Sequence, residues 1–354
     1  MSVVETKVFN NRSVTIEGWY WALRSKDLKT KQKIALHILG RDLVFYRSES
    51  GRVYAMDAHC PHMGAHLAEG SVEGENIRCL FHNWKFDSQG GCIEIPCQKS
   101  IQGVPRIKNW PVQEKYGLVW IWNGPQAQQP IPFVPELENT ETTSILGKFF
   151  VKECHPNVMM INAIDIQHFT SVHQLPVNLN MDTVVRNENH IIFSNTTRVP
   201  KGSLLTRFIG RFYKGPLTYI LSYWFASTGS VTVGPDFLHF HIIFSLRPTV
   251  DGKSEGQTIL ITKKRSGLKG YFLNPVLLFL SRMVGNHFAK GDTLIFKSIR
   301  FKMKFPIKAD SAIISFIQHA EKQKTQAWGE WNAPQKTISS PRRHYETETV
   351  QAET

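Results

Sequence analysis

Two cysteine–histidine pairs constrain this chain more than any other feature: Cys60-Pro61-His62 and, after sixteen intervening residues, Cys79-Leu80-Phe81-His82. Each pair offers one soft thiolate and one imidazole, so a loop built on either brings a mixed donor set to one place. A Cys2His2 zinc finger instead groups its cysteines together and its histidines together, with a helix between them. Here the types alternate, and the neighbouring sequence is strand-like. The glycines Gly64, Gly70, Gly74, Gly90 and Gly91 suit loops that must fold tightly over a bound group.

Such a set fits a Rieske 2Fe–2S cluster, in which two thiolates hold one iron and two imidazoles the other. Zinc and chance placement are the alternatives. From Gly18 to Asn123 the chain alternates apolar runs with turns, among them Ile34–Leu39, Leu43–Arg47, Val53–Met56 and Gly117–Trp122. This spacing predicts an antiparallel β-domain. Residues 124–132, rich in Gln and Pro, read as a linker. Beyond it the order is mixed: helical character over 157–173, strands at His190–Ser194, Phe237–Leu246 and Thr258–Thr262, then helices near Val276–His287 and Asp310–Lys324. That order predicts an α+β second domain.

The stretch from Cys60-Pro61-His62-Met63-Gly64-Ala65 through Cys79-Leu80-Phe81-His82-Asn83-Trp84 resembles the Rieske domain of the Rieske non-haem iron oxygenases. Many members have Arg where Met63 stands and Pro where Leu80 stands; neither position is a ligand. Respiratory Rieske subunits carry an extra cysteine pair at the places of Ala65 and Phe81, and this chain lacks it. The form Cys-Pro-His-Met-Gly-Ala is similar to the branch of 3-ketosteroid 9α-hydroxylase oxygenases and cholesterol 7-desaturases.

A second motif lies downstream, Asp165-Ile166-Gln167-His168-Phe169-Thr170-Ser171-Val172-His173. Two histidines near a carboxylate suggest the 2-His-1-carboxylate triad of mononuclear iron. The same resemblance makes His168 and His173 iron ligands and places the third ligand far downstream at Asp292, with Asp236 as its rival. It makes Asp165 an electron bridge, hydrogen-bonded to His168 in its own chain and to His82 across a subunit interface. On a regular helix His168 and His173 lie about 140° apart, too far to share an ion, so a break or π-bulge is expected between them.

The resemblance implies a fold of an antiparallel β Rieske domain (18–125) and an α+β catalytic domain (126–327) with a curved sheet and helices. An N-terminal segment (1–17) and a polar tail (328–354) flank them. It also implies one 2Fe–2S cluster and one mononuclear Fe(II) per chain. Electrons would come from NAD(P)H through a reductase, with or without a ferredoxin, to a head-to-tail homotrimer. The expected function is a terminal oxygenase that hydroxylates or desaturates a hydrophobic, steroid-like substrate with O2. The alternatives are a monooxygenase of a small aromatic compound and a Rieske electron carrier without oxygenase activity.

Charge and composition bound the remainder. Lys and Arg number 42 against 29 Asp and Glu, a net +13 over 354 residues, but the basic residues are dispersed, which weakens a nucleic-acid reading. Part of the basic surface is expected to dock an acidic electron donor, the alternative being a solvated face. Five cysteines are too few for a disulfide scaffold. The first eighteen residues lack the apolar region of a signal peptide, and the run Tyr271–Leu280 is too short to span a bilayer, so a cytoplasmic protein is expected. The segment Leu268–Val284, preceded by Lys263-Lys264-Arg265, reads as a buried helix rather than an interfacial one, so membrane contact is not favoured.

Overall fold

The computed structural model describes residues 6–173, 181–198, 211 and 213–326. The first block is built of short antiparallel strands. Strands Asn109–Trp110, Val53–Asp57, Arg41–Arg47 and Lys33–Ile38 form one four-stranded sheet in that order. Its tightest hairpin turns on Leu39 (φ 54°) and Gly40 (φ 80°), the double positive φ that a two-residue loop needs to match strand twist. Ser71–Glu73, Asn76–Arg78, Lys85–Phe86 and Cys92–Glu94 form a second sheet, which frames the loop of Cys79.

A third sheet joins the two blocks. Strands Trp19–Arg24 and Leu118–Trp122 pair antiparallel, and the period-2 alternation divides their side chains. Trp19, Trp21, Leu118, Trp120 and Trp122 face the main core. Tyr20, Ala22, Val119 and Ile121 face the core of the first block. Arg247 fastens the same junction: its guanidinium lies 3.9 Å from the Trp21 ring and donates to the carbonyls of Trp21 and Ala22 at 3.0 and 2.9 Å.

The second block is a seven-stranded antiparallel sheet. Its order is Thr142–Lys152, Ser254–Lys263, Phe240–Pro248, Thr228–Pro235, Pro216–Trp224, His190–Arg198 and Asp182–Asn187. Among the described residues the helices α1 (Pro156–Asn162), α2 (Ile166–Ser171), α3 (Gly267–Ser298) and α4 (Ser311–Glu321) accompany it. On α4 the residues Ala312, Ile313, Phe316, Ile317 and Ala320 recur at helical spacing and are all buried. The Glu321 carboxylate accepts from the backbone N–H groups of Lys7, Val8 and Phe9, and Thr15–Ile16 pairs with Thr325–Gln326, so the two ends of the described chain meet.

The α+β class and the antiparallel first block agree with expectation, and three local readings need correction. The third strand starts at Phe240, not Phe237, whose ring is 72% exposed. The helical stretch 157–173 is two helices with a break at 163–165. The segment Leu268–Val284 is helical but not buried: only one of its sides packs on the sheet, because the inward row Gly270, Asn274, Leu277, Leu278 and Ser281 is all the sheet can cover. The polar tail lies outside the described residues.

Candidate metal centres

The loops carrying the two Cys–His pairs share one backbone design. Cys60 O accepts from Gly64 N (2.9 Å) and Cys60 N donates to Ala65 O (2.9 Å). Cys79 O accepts from Asn83 N (3.1 Å) and Cys79 N donates to Trp84 O (2.9 Å). Each turn is closed four residues after its cysteine by a residue at positive φ, Gly64 at 75° and Asn83 at 58°. Asn is the side-chain-bearing residue best suited to that conformation. Gly70 is required for another reason, since a Cβ there would lie 1.8 Å from the Arg78 carbonyl oxygen.

The design sorts the donors by depth. Cys60 and Cys79 are buried among Val44, Met56, Leu67, Ile77 and Phe86. Burial, with the neighbouring Cys79 thiol adding to it, pushes the Cys60 thiol up to about 11. Two thiols held together in apolar surroundings suit deprotonation by bound iron rather than free ionisation. His62 and His82 are exposed, with ring centroids 4.6 Å apart, and His62 stacks on Trp84 at 4.4 Å. The residues therefore fit a cluster with a thiolate-bound iron inside and an imidazole-bound iron at the surface. Met63, Leu80 and Phe81, exposed at 65, 66 and 59%, ring the histidines.

The second group is assembled from three places in the chain. His155 accepts from Asn157 N to cap α1, and Pro156 supplies its first turn. Two tyrosines four residues apart on strand Pro216–Trp224, hence on one face, hold the end of α1. Tyr223 donates to the Met160 carbonyl (2.7 Å) and Tyr219 to the Ala163 carbonyl (3.0 Å). The chain then restarts at Asp165, whose carboxylate caps α2 by accepting from Gln167 N (3.0 Å) and His168 N (3.1 Å). Helix α2 ends at Ser171, so His173 lies beyond it and is free of the helical 140° separation. The expected break is present, as a helix end.

Helix α3 then delivers Asp292. His168 Nε2, His173 Nε2 and Asp292 Oδ1 lie 3.1, 2.9 and 3.2 Å from one another. Metal–ligand bonds of about 2.1 Å at right angles put neighbouring ligands about 3.0 Å apart, so these three atoms form one face of an octahedron. The side chains are only 6, 7 and 16% exposed. Among the described residues they are the group of three donors with ligand atoms within 4.8 Å of one another. The donor set fits a mononuclear iron. Asp236 is not part of it; it accepts from the Tyr213 hydroxyl at 2.6 Å.

Residues 18–111 match a family model, the Rieske [2Fe-2S] domain. These residues are a Rieske domain. Around it, relatives match over less than half their own length. Aminopyrrolnitrin oxygenase of Pseudomonas fluorescens is 37% identical over 170 residues, 45% of this chain and 46% of that protein. The oxygenase component of 3-ketosteroid-9-alpha-monooxygenase of Rhodococcus rhodochrous is 31% identical, over 45% of this chain and 44% of that one. Cholesterol 7-desaturase of Drosophila melanogaster is 35% identical, over 44% and 38%. The last two bear the names of the branch that residues 60–65 resemble. A solved structure of dicamba monooxygenase bound to 3,6-dichlorosalicylic acid superposes with a TM-score of 0.64 at 19% identity, covering 90% of this chain and 98% of that one. At that identity the likeness establishes the fold: a Rieske domain followed by an α+β domain with a seven-stranded sheet.

Sequence reasoning missed several members of the second site. Asn162 Nδ2 lies 3.0 Å from His168 Nε2, and Lys152 Nζ reaches Thr293 Oγ1, next to Asp292, at 2.7 Å. Tyr219 and Tyr223 lie on strand Pro216–Trp224, where period 2 assigns them to one face, but nothing in the sequence names the carbonyls they meet. The expected contact between Asp165 and the His168 ring takes another form, since the carboxylate binds the His168 backbone N–H.

Proposed function

We propose that this chain is the terminal oxygenase of an electron-fed system, acting with O2 on a hydrophobic, steroid-like substrate. The observation that carries the reading is the octahedral face of His168, His173 and Asp292 in the same chain as a Rieske domain. An electron carrier has no use for a second, partly open metal site.

When bound, the cluster at Cys60, His62, Cys79 and His82 would supply single electrons, and iron at His168, His173 and Asp292 would activate O2. The chain's own residues prepare that chemistry. The three donors occupy one face and leave the other for O2 and substrate. Phe169 packs edge-on against Tyr219 at 5.4 Å and lies 6.0 Å from His173, an apolar wall that keeps water from the site. Asp165 holds the backbone from which His168 projects.

The steroid reading is supported by relatives named for a 3-ketosteroid and cholesterol. A small aromatic substrate is the second reading, favoured by the aminopyrrolnitrin oxygenase relative at 37% identity. The electron source would be a reductase, with or without a ferredoxin, drawing on NAD(P)H. The exposed His62 and His82, ringed by Met63, Leu80 and Phe81, suit a head-to-tail trimer that docks this tip beside a neighbour's iron site. There Asp165 would reach His82 of the adjacent subunit.

The test is to load the full chain with iron and sulfide, reduce it chemically, admit O2 and analyse sterol and aromatic panels by mass spectrometry. An oxygenated or desaturated product is expected. Full reoxidation with both metals bound and no product from either panel would overturn the proposal.

A further inference from the structure

We propose that the first half of α3 seats this protein on an anionic phospholipid surface, an inference independent of the reaction it catalyses. Leu268, Phe272, Val276, Phe279 and Met283 are exposed at 80, 66, 52, 58 and 55%. At 100° per residue these five positions fall within an arc of about 80°. The inward row of buried Gly270, Leu277, Leu278 and Ser281 with half-buried Asn274 is centred on the diametrically opposite side. The sheet covers the inner face, where Leu277 and Leu278 pack, and leaves the apolar outer face bare. A helix of that kind belongs in a core or against lipid.

The polar residues identify the occupant. Lys269 projects about 20° beyond one edge of the stripe and Arg282 about 40° beyond the other. Lys263, Lys264 and Arg265 precede the helix, and no Asp or Glu occurs from Lys263 to Gly291. Lys264 is paired with Glu141, which leaves Lys263, Lys269 and Arg282 as the long basic side chains beside the apolar stripe, and these match an anionic headgroup layer over acyl chains. Asn274 secures the inner face, bonding both the N–H and the carbonyl of Arg265. No helix among the described residues is long and apolar enough to cross a membrane, so the contact is with its surface. Asp292 follows Met283 on the same helix by about 14 Å of axial rise, placing the lipid seat near the metal site.

The experiment is sedimentation of the metal-loaded full chain with phosphatidylcholine vesicles, with and without phosphatidylglycerol, across a salt series. Binding to the anionic vesicles is expected, weakening with salt and falling about tenfold in the double variant Phe272→Glu/Phe279→Glu. Cluster absorbance and melting temperature establish that the variant is folded. Should it not fold, Lys269→Glu/Arg282→Glu, which alters only exposed charges, must show the same loss. A chain that stays in the supernatant at low salt, or variants that bind like the parent, would overturn the proposal. So would a light-scattering result in which the stripe variant splits an oligomer while lipid affinity is unchanged, since a second copy would then cover the stripe.

Discussion

Asp292 Oδ1 stands 2.9 Å from His168 Nε2, although 124 residues separate them in the chain. Helix α3 closes that gap, and the carboxylate completes a donor face that α2 and the residue beyond it provide only in part. Asp292→Ala should therefore reduce the iron content from three atoms per chain to two and abolish turnover. The Rieske absorbance and its paramagnetic signal should be unchanged, because every donor of the cluster lies in the other block. Retention of the third iron would remove Asp292 from the site.

The tyrosine pair makes a separate prediction. Tyr219→Phe deletes one hydroxyl and leaves the Ala163 carbonyl unpaired where α1 gives way to α2. An unsatisfied buried carbonyl costs about 1–3 kcal/mol, to be read from chemical denaturation. Iron retention should fall about tenfold as well, since the break sets the approach of His168. A variant that is destabilised yet binds iron normally would confine the tyrosine to a structural role.

Asp165 has a capping role that the structure shows and a bridging role that is proposed, and two substitutions separate them. Asp165→Asn still accepts the N–H groups of Gln167 and His168, so stability and both metals should be kept while electron arrival at the iron falls at least about a hundredfold. Asp165→Ala loses the cap too, at about 1 kcal/mol. Normal single-turnover kinetics in Asp165→Asn would discard the bridge.

The two cluster loops should respond alike to loss of their positive-φ residue. Gly64→Ala meets no neighbour within 4 Å, so its cost is backbone strain alone. For that variant and for Asn83→Ala we expect about 1–2 kcal/mol each, with faster loss of cluster absorbance on heating, whereas Asn83→Gly should be nearly neutral. Large asymmetry between the loops would contradict their common design.

Burial also makes the fold sensitive to acid. It lowers His190 and His241 to about 4 and His155 to about 3. Each is neutral when folded and takes up a proton more readily when unfolded. Their contribution is fully present above the unfolded value of about 6.5 and is lost as pH falls toward 4. Urea denaturation followed by tryptophan fluorescence should show a steady decline below about pH 6.5. Constant stability between pH 7 and 5 would refute this.

Short-range relations were determined by the sequence alone. Cys60 with His62 and Cys79 with His82 share single tight turns, and residues four places on, Gly64 and Asn83, are types that tolerate the conformation those turns need. The angular offset of His168 and His173 foretold that no regular helix could join them. Tertiary structure decided everything that depends on meeting a distant surface. It brought Asp292 and not Asp236 to His168, because α3 passes there while Asp236 is held by Tyr213. It gave Tyr219 and Tyr223 their carbonyls, and it turned the tryptophans of strands Trp19–Arg24 and Leu118–Trp122 to the main core while Tyr20, Ala22, Val119 and Ile121 face the other. It also left the outer stripe of α3 uncovered: an apolar pattern records which residues avoid water, whereas the area of sheet available to cover them is a property of the whole packed chain.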